Sequence, residues 1–304
     1  MPTTSTTSDI AILGENQYGK AEVRLVRIER ETPRHEITDL NVSSQLRGDL
    51  DAIHTEGDNA HCVATDSQKN TVYSLARDGV GTPEEFALRL GEHFTSTYGW
   101  ITGGRWEIEK YTWVRIPTSD GEHDHSFVRG GTEVRTAVVQ RDGDEVFVVA
   151  GLQDLTVLKS TASEFVGFTR DSYTTLPEAT DRILATDVKA RWRYTRTDLD
   201  FDAVFDDVRR IMLEQFATQH SYALQQTLYQ MGVAVLEEHP EIAELKFSMP
   251  NKHHFLVDLS PFGQDNPNVV FFAADRPYGL IEATVQRKDA QPEPRAWATV
   301  TGFC

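Results

Sequence analysis

Cysteine is scarce in this chain of 304 residues, which contains Cys62 and Cys304 and no others. No Cys-x-x-Cys pair or zinc-type spacing is present, so neither a disulfide scaffold nor a structural zinc site is expected. Long apolar runs are missing too, and no stretch approaches the roughly 20 residues of a membrane-spanning helix. These absences predict an intracellular protein in a reducing compartment, without a transmembrane segment.

Positive charge is also in short supply, because 30 Lys and Arg stand against 47 Asp and Glu, giving a formal net charge of -17. A field of that sign opposes binding to nucleic acid and to anionic membrane surfaces. We therefore predict no nucleic-acid partner and no membrane partner. An anionic small substrate would need a local cationic group in its pocket.

The first eight residues are polar and lack the charged and apolar regions of a signal peptide. We predict a disordered N-terminal tail over residues 1–10. The whole chain is 39% hydrophobic and 10% aromatic, which is enough to build a folded core. The sequence therefore predicts a folded protein that follows a short tail.

Two halves of the chain repeat one order of elements, with strands first, then helix, then strands again. The tripeptide Ala-Thr-Asp also occurs twice, at residues 64–66 and 185–187. This repetition predicts an α+β fold with two similar modules, over residues 11–143 and 144–304. Each would have an antiparallel sheet with helices on one face. The sheet edges need cover, and a barrel formed across subunits would provide it, so we predict an oligomer.

A capping box predicts one helix start, with Thr82 as N-cap, Pro83 at the first helical position and Glu85 at the third. The apolar stripe of this helix is predicted to consist of Phe86, Leu90 and Phe94. Further helices are predicted over residues 179–186 and 202–239.

A polar loop containing His123-Asp124-His125 is predicted between two strands, over residues 106–113 and 133–139. Paired histidines beside an acid could bind a metal ion. The sequence places no third ligand, so we predict no metal site, and a role for His123 and His125 stays open.

The most informative stretch begins at Val63 and continues through Thr65 and Asp66 to Tyr73. Its dense polar residues predict a turn at a sheet edge, which is either a solvated loop or the mouth of a pocket with the Thr65 hydroxyl. The stretch resembles the Ala-Thr-Asp-Ser-x-Lys-Asn-Thr signature of urate oxidase (uricase). Further segments similar to that family are Tyr18-Gly19-Lys20, Leu155 to Thr161, Asp181-Arg182-Ile183-Leu184, and Pro250-Asn251-Lys252-His253.

The resemblance runs from Gln17 to Ile281, almost the whole chain. It implies the tunnelling fold (T-fold), in which tandem modules pair into barrels, stacked as a homotetramer with active sites at subunit interfaces. It also implies oxidation of urate by O2, with water, to 5-hydroxyisourate and H2O2, without metal or cofactor. Eukaryotic relatives end in a Ser-Lys-Leu-like peroxisomal address, whereas this chain ends in Phe303-Cys304, so we expect a bacterial-type cytoplasmic protein.

The resemblance also assigns roles to residues. Lys20, Thr65 and His253 would form a proton relay, in which neutral Lys20 takes the proton of Thr65. The residues expected to contact the substrate or oxygen are Asp66 through its backbone, Phe165 by stacking, Arg182 by a guanidinium fork, Leu224 through its N–H, Gln225, Asn251 and Ile281. From the residues alone, Phe165 could be a core aromatic, Arg182 a partner of Asp181 and His253 a surface histidine, and Gln226 competes with Gln225.

Two alternatives belong to other classes. One is a different T-fold enzyme that acts on pterins or other purines. The other is a purine-binding protein without catalysis, which would be expected to lack Lys20, Thr65 or His253, yet all three are present.

Overall fold

The structure is a computed structural model that describes residues 10–274, 276–298 and 300. Nine of the ten residues of the predicted N-terminal tail lie outside the described residues, as does Cys304. No described helix is both long enough and apolar enough to cross a membrane.

The described residues form ten strands and six α-helices. The strands are β1 (Tyr18–Glu29), β2 (Glu36–Gly48), β3 (Ile101–Thr118), β4 (Gly121–Asp142), β5 (Glu145–Lys159), β6 (Leu184–Tyr194), β7 (Ile242–Asn251), β8 (His254–Leu256), β9 (Phe271–Ala273) and β10 (Gly279–Gln286). The helices are α1 (Asp51–Thr55), α2 (Thr65–Arg77), α3 (Pro83–Thr97), α4 (Phe201–Thr218), α5 (Leu224–Glu238) and α6 (Pro294–Trp297).

The chain divides into two compact units. The first comprises the residues up to Ala150 together with Thr195–Thr197 and Glu293–Ala298, and the second includes Gly151–Tyr194 and Asp198–Pro292. The predicted module boundary at residues 143 and 144 stays a prediction.

The first unit is built on strands in the order β1-β2-β3-β4, paired antiparallel. Alternate residues of β2 are buried, namely Leu40, Val42, Ser44 and Leu46. This period of two places one face of the sheet in the core. Helix α2 packs against β1, and α3 packs against β3 and β4.

The second unit contains strands in the order β5-β6-β7-β10, with β6–β7 and β7–β10 antiparallel. Helix α5 packs against β7 and β10, and α4 packs on α5. Antiparallel strands covered by helices confirm the predicted α+β fold class.

The capping box of α3 is confirmed. The Thr82 hydroxyl accepts a hydrogen bond from the Glu85 N–H at 3.2 Å, and the Glu85 carboxylate accepts one from the Thr82 N–H at 2.8 Å. The predicted stripe is fully buried at Phe86, Leu90 and Phe94. Local chemistry thus decides where this helix begins and which face it buries.

The predicted turn after Val63 is wrong, because Thr65 begins α2, which continues to Arg77. The buried residues of this helix recur every four positions, at Gln68, Val72 and Ala76. Only Val72 and Ala76 among these residues are apolar, and two apolar positions are too few to indicate a helix in the sequence.

Three other local predictions are corrected. His123 and His125 lie within β4, because the β3–β4 hairpin extends to a turn at residues 119–120. Residues 179–183 are not helical, and 184–186 begin strand β6. The region 202–239 contains two helices, separated where Ser221 forms a bridge to Ser163.

The Ala-Thr-Asp repeat has no structural counterpart. Residues 64–66 lie at the start of α2, whereas 185–187 lie inside strand β6. The tripeptide therefore gives no support to a repeat of two modules.

Candidate functional site

Lys20 is half-buried on β1, where its cross-strand partner is Ser44 of β2. The register shifts immediately afterwards, between Lys20 and Val23. Within this bulge Glu22 has a φ of 57°, and its N–H donates to the Ser43 hydroxyl at 3.0 Å. A non-glycine residue in that conformation is uncommon, and bulges of this kind re-aim neighbouring side chains.

Gly19, directly before Lys20, is required by close packing. A Cβ there would lie 1.8 Å from the carbonyl oxygen of Ser44, which is fixed in the β1–β2 ladder. We expect Gly19→Ala to lower the melting temperature by roughly 5 °C or more, as measured by thermal unfolding. Gly14→Ala is the matched control, since nothing lies within 4 Å of its Cβ. Equal melting temperatures for the two variants would contradict the packing argument.

Thr65 is the first residue of α2, and the N-cap residue Ala64 provides no side-chain hydrogen bond. Thr65 and Asp66 are exposed, so the first N–H groups of the helix face the surface without a side-chain acceptor from the cap. The Asp66 carboxylate instead accepts hydrogen bonds from Lys69 at 2.5 Å and Asn70 at 3.0 Å. The start of α2 can therefore offer N–H donors to an anion.

Lys20 lies close enough to this helix start to act on it electrostatically. The pKa of Asp66 is lowered chiefly by its hydrogen bond with Lys69, and the positive charge of Lys20 lowers it further. In the first unit, Lys20 thus lies within electrostatic reach of Asp66, the residue that follows Thr65.

A second cluster forms around residues 162–165, which pair with two other segments. On one side, the Glu164 N–H donates to the Ser221 carbonyl at 2.8 Å, three residues before α5 begins. On the other side, the N–H of Phe165 donates to the Ala179 carbonyl at 2.7 Å, and that of Arg182 donates to the Ser163 carbonyl at 2.8 Å. These bonds hold Phe165, Arg182 and the start of α5 as one local assembly.

Arg182 and Phe165 are directly in contact. The Arg182 guanidinium carbon lies 5.1 Å from the centroid of the Phe165 ring. Its Nε is buried and has no hydrogen-bond partner among the described residues. Burial lowers the pKa of the Arg182 guanidinium, which nevertheless remains a cation at neutral pH. The site therefore contains a desolvated positive charge with an unused donor.

These two residues line a cavity of about 470 Å³ within the second unit. Asn251 and His253 line it as well, together with apolar residues that include Leu176 and Phe271. The pKa of His253 is lowered, first by burial and then by the positive charge of Arg182 and by His254. His253 is therefore neutral at neutral pH and able to accept a proton.

Leu224 and Gln225 are the first two residues of α5, whose N-cap Ala223 provides no side-chain hydrogen bond. Leu224 is buried and Gln225 is exposed. The neighbouring Gln226 uses its side-chain carbonyl to accept a hydrogen bond from the Tyr222 N–H at 2.9 Å.

Ile281 lies on β10 opposite Met249 of β7. Four predicted site residues thus share the cavity of the second unit, namely Phe165, Arg182, Asn251 and His253. Leu224, Gln225 and Ile281 do not line it. His253 belongs to the second unit, whereas its predicted relay partners Lys20 and Thr65 belong to the first.

Sequence reasoning did not select Leu176 and Phe271, two apolar residues of the cavity. It also missed Gln68, which is fully buried on α2. Gln68, Val72 and Ala76 follow one another at intervals of four residues, and this helical spacing was the signal in the sequence that could have identified Gln68 as buried.

Within residues 10–274 and 276–298, no group of three or more His, Cys, Asp or Glu side chains is arranged to hold a metal ion. The rings of His123 and His125 are in contact, with centroids 4.5 Å apart.

The sequence of this chain is similar to sequences of known proteins. The sequence matches the uricase family over residues 16–140 and 148–282. The chain belongs to the uricase family. This membership confirms the resemblance and makes the chain an oxidoreductase of the urate oxidase class.

Individual uricases agree with that assignment. The uricase of Arthrobacter globiformis is 64% identical over 300 residues, covering 99% of this chain and 98% of the relative. The uricase of Dictyostelium discoideum is 37% identical, covering 93% and 100% respectively.

Solved structures confirm the tunnelling fold. The crystal structure of the Arthrobacter globiformis uricase has a TM-score of 0.92 at 64% identity, covering 95% of this chain and 99% of that one. A uricase from Bacillus fastidious has a TM-score of 0.78 at 27% identity, covering 90% and 94%. The barrel across subunits stays a prediction.

Proposed function

We propose that this chain oxidises urate with O2 and water to 5-hydroxyisourate and H2O2, without metal or cofactor. Urate loses two electrons, and O2 gains them to become H2O2. The oxygen atom that urate acquires comes from water, so the atoms balance. Triplet oxygen reacts slowly with closed-shell molecules, and the enzyme must therefore make urate a better electron donor. Removing a second proton from urate would do this.

The single observation that carries the proposal is the contact between Arg182 and Phe165 in the cavity, with the Arg182 Nε unpaired among the described residues. A planar guanidinium suits a planar anion, because it donates two parallel hydrogen bonds. An aromatic ring beside it provides a stacking surface for a purine, an interaction of about 1–3 kcal/mol in nucleic-acid systems. Asn251, which lines the same cavity, would hold the water or dioxygen above the ring, with Ile281 nearby.

The proton relay of the proposal uses Lys20, Thr65 and His253. Thr65 alone is too weak a base, so neutral Lys20 would accept its proton as Thr65 takes one from urate. His253 has a lowered pKa and is neutral, which suits a proton acceptor. The N–H groups at the start of α2, including that of Asp66, would bind the anion.

We further propose a cytoplasmic homotetramer in which each active site lies at a subunit interface. The Lys20–Thr65 cluster would come from one copy and the Arg182–Phe165 cluster from another. Exposed apolar side chains on β8 and β9 support association, since Phe255 is 49% exposed and Phe272 is 62% exposed. The scarcity of cysteine supports a reducing compartment.

Gln225 is proposed to bind the second edge of urate, with the Leu224 N–H beside it. Its side chain is exposed, whereas the side-chain carbonyl of Gln226 is engaged by Tyr222. We expect Gln225→Ala to raise KM for urate about 10-fold or more, through loss of a donor and an acceptor. Gln226→Ala is the matched control and should change KM less than twofold while lowering stability. A larger KM effect for Gln226→Ala would reverse the assignment.

The test of the proposed function is oxygen uptake and loss of urate absorbance by the purified tetramer in chelator-treated buffer, with peroxide measured in parallel. We expect one H2O2 for each urate, at a rate that chelation leaves unchanged. Absence of oxygen uptake would refute the proposed reaction. Binding of urate without turnover would indicate the non-catalytic alternative, and turnover of a pterin but not urate would indicate another T-fold enzyme.

A further inference from the structure

The backbone carbonyl of Val63, two residues before Thr65, accepts two side-chain hydrogen bonds. The Tyr18 hydroxyl donates one at 3.1 Å, and the Gln68 side-chain amide donates the other at 3.3 Å. We call these two donors and their acceptor the Val63 clamp. It joins strand β1 to the segment that enters α2.

Tyr18 and Gln68, the two donors, lie on the same elements as the proposed relay residues Lys20 and Thr65. Tyr18 precedes Lys20 by two positions, so both side chains lie on the same face of β1. Gln68 follows Thr65 by three positions and therefore lies on the same side of α2. The clamp thus connects the element that carries Lys20 with the element that carries Thr65.

Gln68 makes one more connection of the same kind. Its side-chain carbonyl accepts a hydrogen bond from the Ser44 hydroxyl at 3.2 Å, and Ser44 is the cross-strand partner of Lys20. Gln68 and Ser44 are both fully buried. An apolar residue of equal size would avoid the cost of burying an amide, but it would leave the buried Ser44 hydroxyl without this acceptor. The Gln68 amide is thus held from both ends, by β2 and by the segment that enters α2.

Tyr18 remains a hydrogen-bond donor throughout the physiological pH range. Burial raises the pKa of its hydroxyl, and the neighbouring Cys62 raises it further. The Val63 side chain is itself buried, so the carbonyl that both donors share is fixed in the core.

We propose that Tyr18 and Gln68 are positioning residues that hold the first turn of α2, and with it Thr65, at the distance from Lys20 that proton transfer requires. The inference rests on the proposed function, because it assumes that Lys20 and Thr65 exchange a proton. Misplacement of reacting groups by about 1 Å reduces a rate about 100-fold. Two independent donors to one carbonyl restrict this displacement.

The test uses Tyr18→Phe, which keeps the ring, Gln68→Met, which keeps the chain length, and the double variant. We expect each single change to lower kcat about 3- to 10-fold and the double change to lower it about 10- to 100-fold, with KM for urate changed less than twofold. Lost activity should partly return at higher pH, where hydroxide removes the urate proton without the relay. Gln68→Met should also lower the melting temperature, because the buried Ser44 hydroxyl loses its acceptor, so kcat and the pH profile decide the test.

Val72→Ala is the matched control, because Val72 is fully buried one turn further along the same face of α2. Loss of buried methyl groups should lower its melting temperature and leave kcat and the pH profile unchanged. If Gln68→Met behaves like Val72→Ala, its role is only structural and the proposal is overturned.

Amide hydrogen exchange tests the Val63 clamp without a measurement of urate oxidation. In the double variant, the first hydrogen-bonded amides of α2, residues 68–71, should exchange about 10-fold faster or more, with the amides of α3 as internal reference. Unchanged exchange at these amides would show that the clamp does not hold the start of α2, and faster exchange with an unchanged kcat and pH profile would show that it does not position Thr65. Either result overturns the proposal. Failure of the unmodified chain to oxidise urate would instead refute the proposed function, and exchange would still decide whether the clamp exists.

Discussion

Replacing Lys20 with Met is expected to lower kcat for urate about 100-fold or more, with a smaller change in KM. Methionine keeps the length of the side chain and removes the amine that is proposed to receive the proton of Thr65. The half-buried position of Lys20 on β1, near Asp66 at the start of α2, supports this role. Initial rates of urate loss and oxygen uptake measure the effect.

The decisive comparison combines Lys20→Met with Thr65→Ala. Residues of one relay act as a unit, so the double variant should be no slower than the slower single variant. Losses that multiply would show separate proton paths. Lys110→Met is the control, since Lys110 is another half-buried lysine of the same sheet and lies outside the relay. It should retain kcat within about twofold.

Local chemistry in the sequence was sufficient to predict some elements. The start of α3 depends on hydrogen bonds between Thr82 and Glu85, three positions apart, so a short segment contains all the necessary information. Strand β2 could equally be predicted from the local sequence, because its buried residues alternate from Leu40 to Leu46. The family was predictable because its motifs are spread over almost the whole chain.

Other elements depend on partners that are distant in sequence. Residues 179–182 were predicted to be helical, yet Ala179 and Arg182 bond to the backbone of Phe165 and Ser163, and these partners hold the segment in a non-helical conformation. The start of α2 was misread because its first inward-facing residue, Gln68, is polar and bonds to Ser44 of another element. Local propensity gives no information about such contacts.

The candidate site was predicted as a set of residues and not as a geometry. Phe165, Arg182 and the pair Asn251 and His253 come from three separate segments, and their common cavity follows only from the fold. The lowered pKa of His253 depends on burial and on the Arg182 charge, two features that no local pattern contains. Sequence also left open the choice between Gln225 and Gln226, and the hydrogen bond that Gln226 accepts from the Tyr222 N–H depends on a contact outside any local pattern.

Replacing Arg182 with Gln is expected to lower kcat/KM for urate about 100- to 10,000-fold. Two hydrogen bonds to a charged group are lost, each of about 1.5–3 kcal/mol, and each factor of ten corresponds to about 1.4 kcal/mol. Arg182→Lys should rescue only part of the loss, because an ammonium group does not form the planar fork. Steady-state kinetics over a range of urate concentrations measures both variants.

Arg170 is a matched control that separates anion binding by Arg182 from general effects of charge. The guanidinium carbon of Arg170 lies 5.6 Å from the ring centroid of Phe168, which itself stacks on Phe165 at 4.9 Å, but Arg170 is exposed. Arg170→Gln removes the same charge from a similar aromatic contact and should change kcat/KM less than threefold. Since burial already disfavours the Arg182 cation, its removal should leave the melting temperature unchanged or higher. A fall in melting temperature with unchanged kcat/KM would mean that Arg182 serves the fold and that another group binds the urate anion.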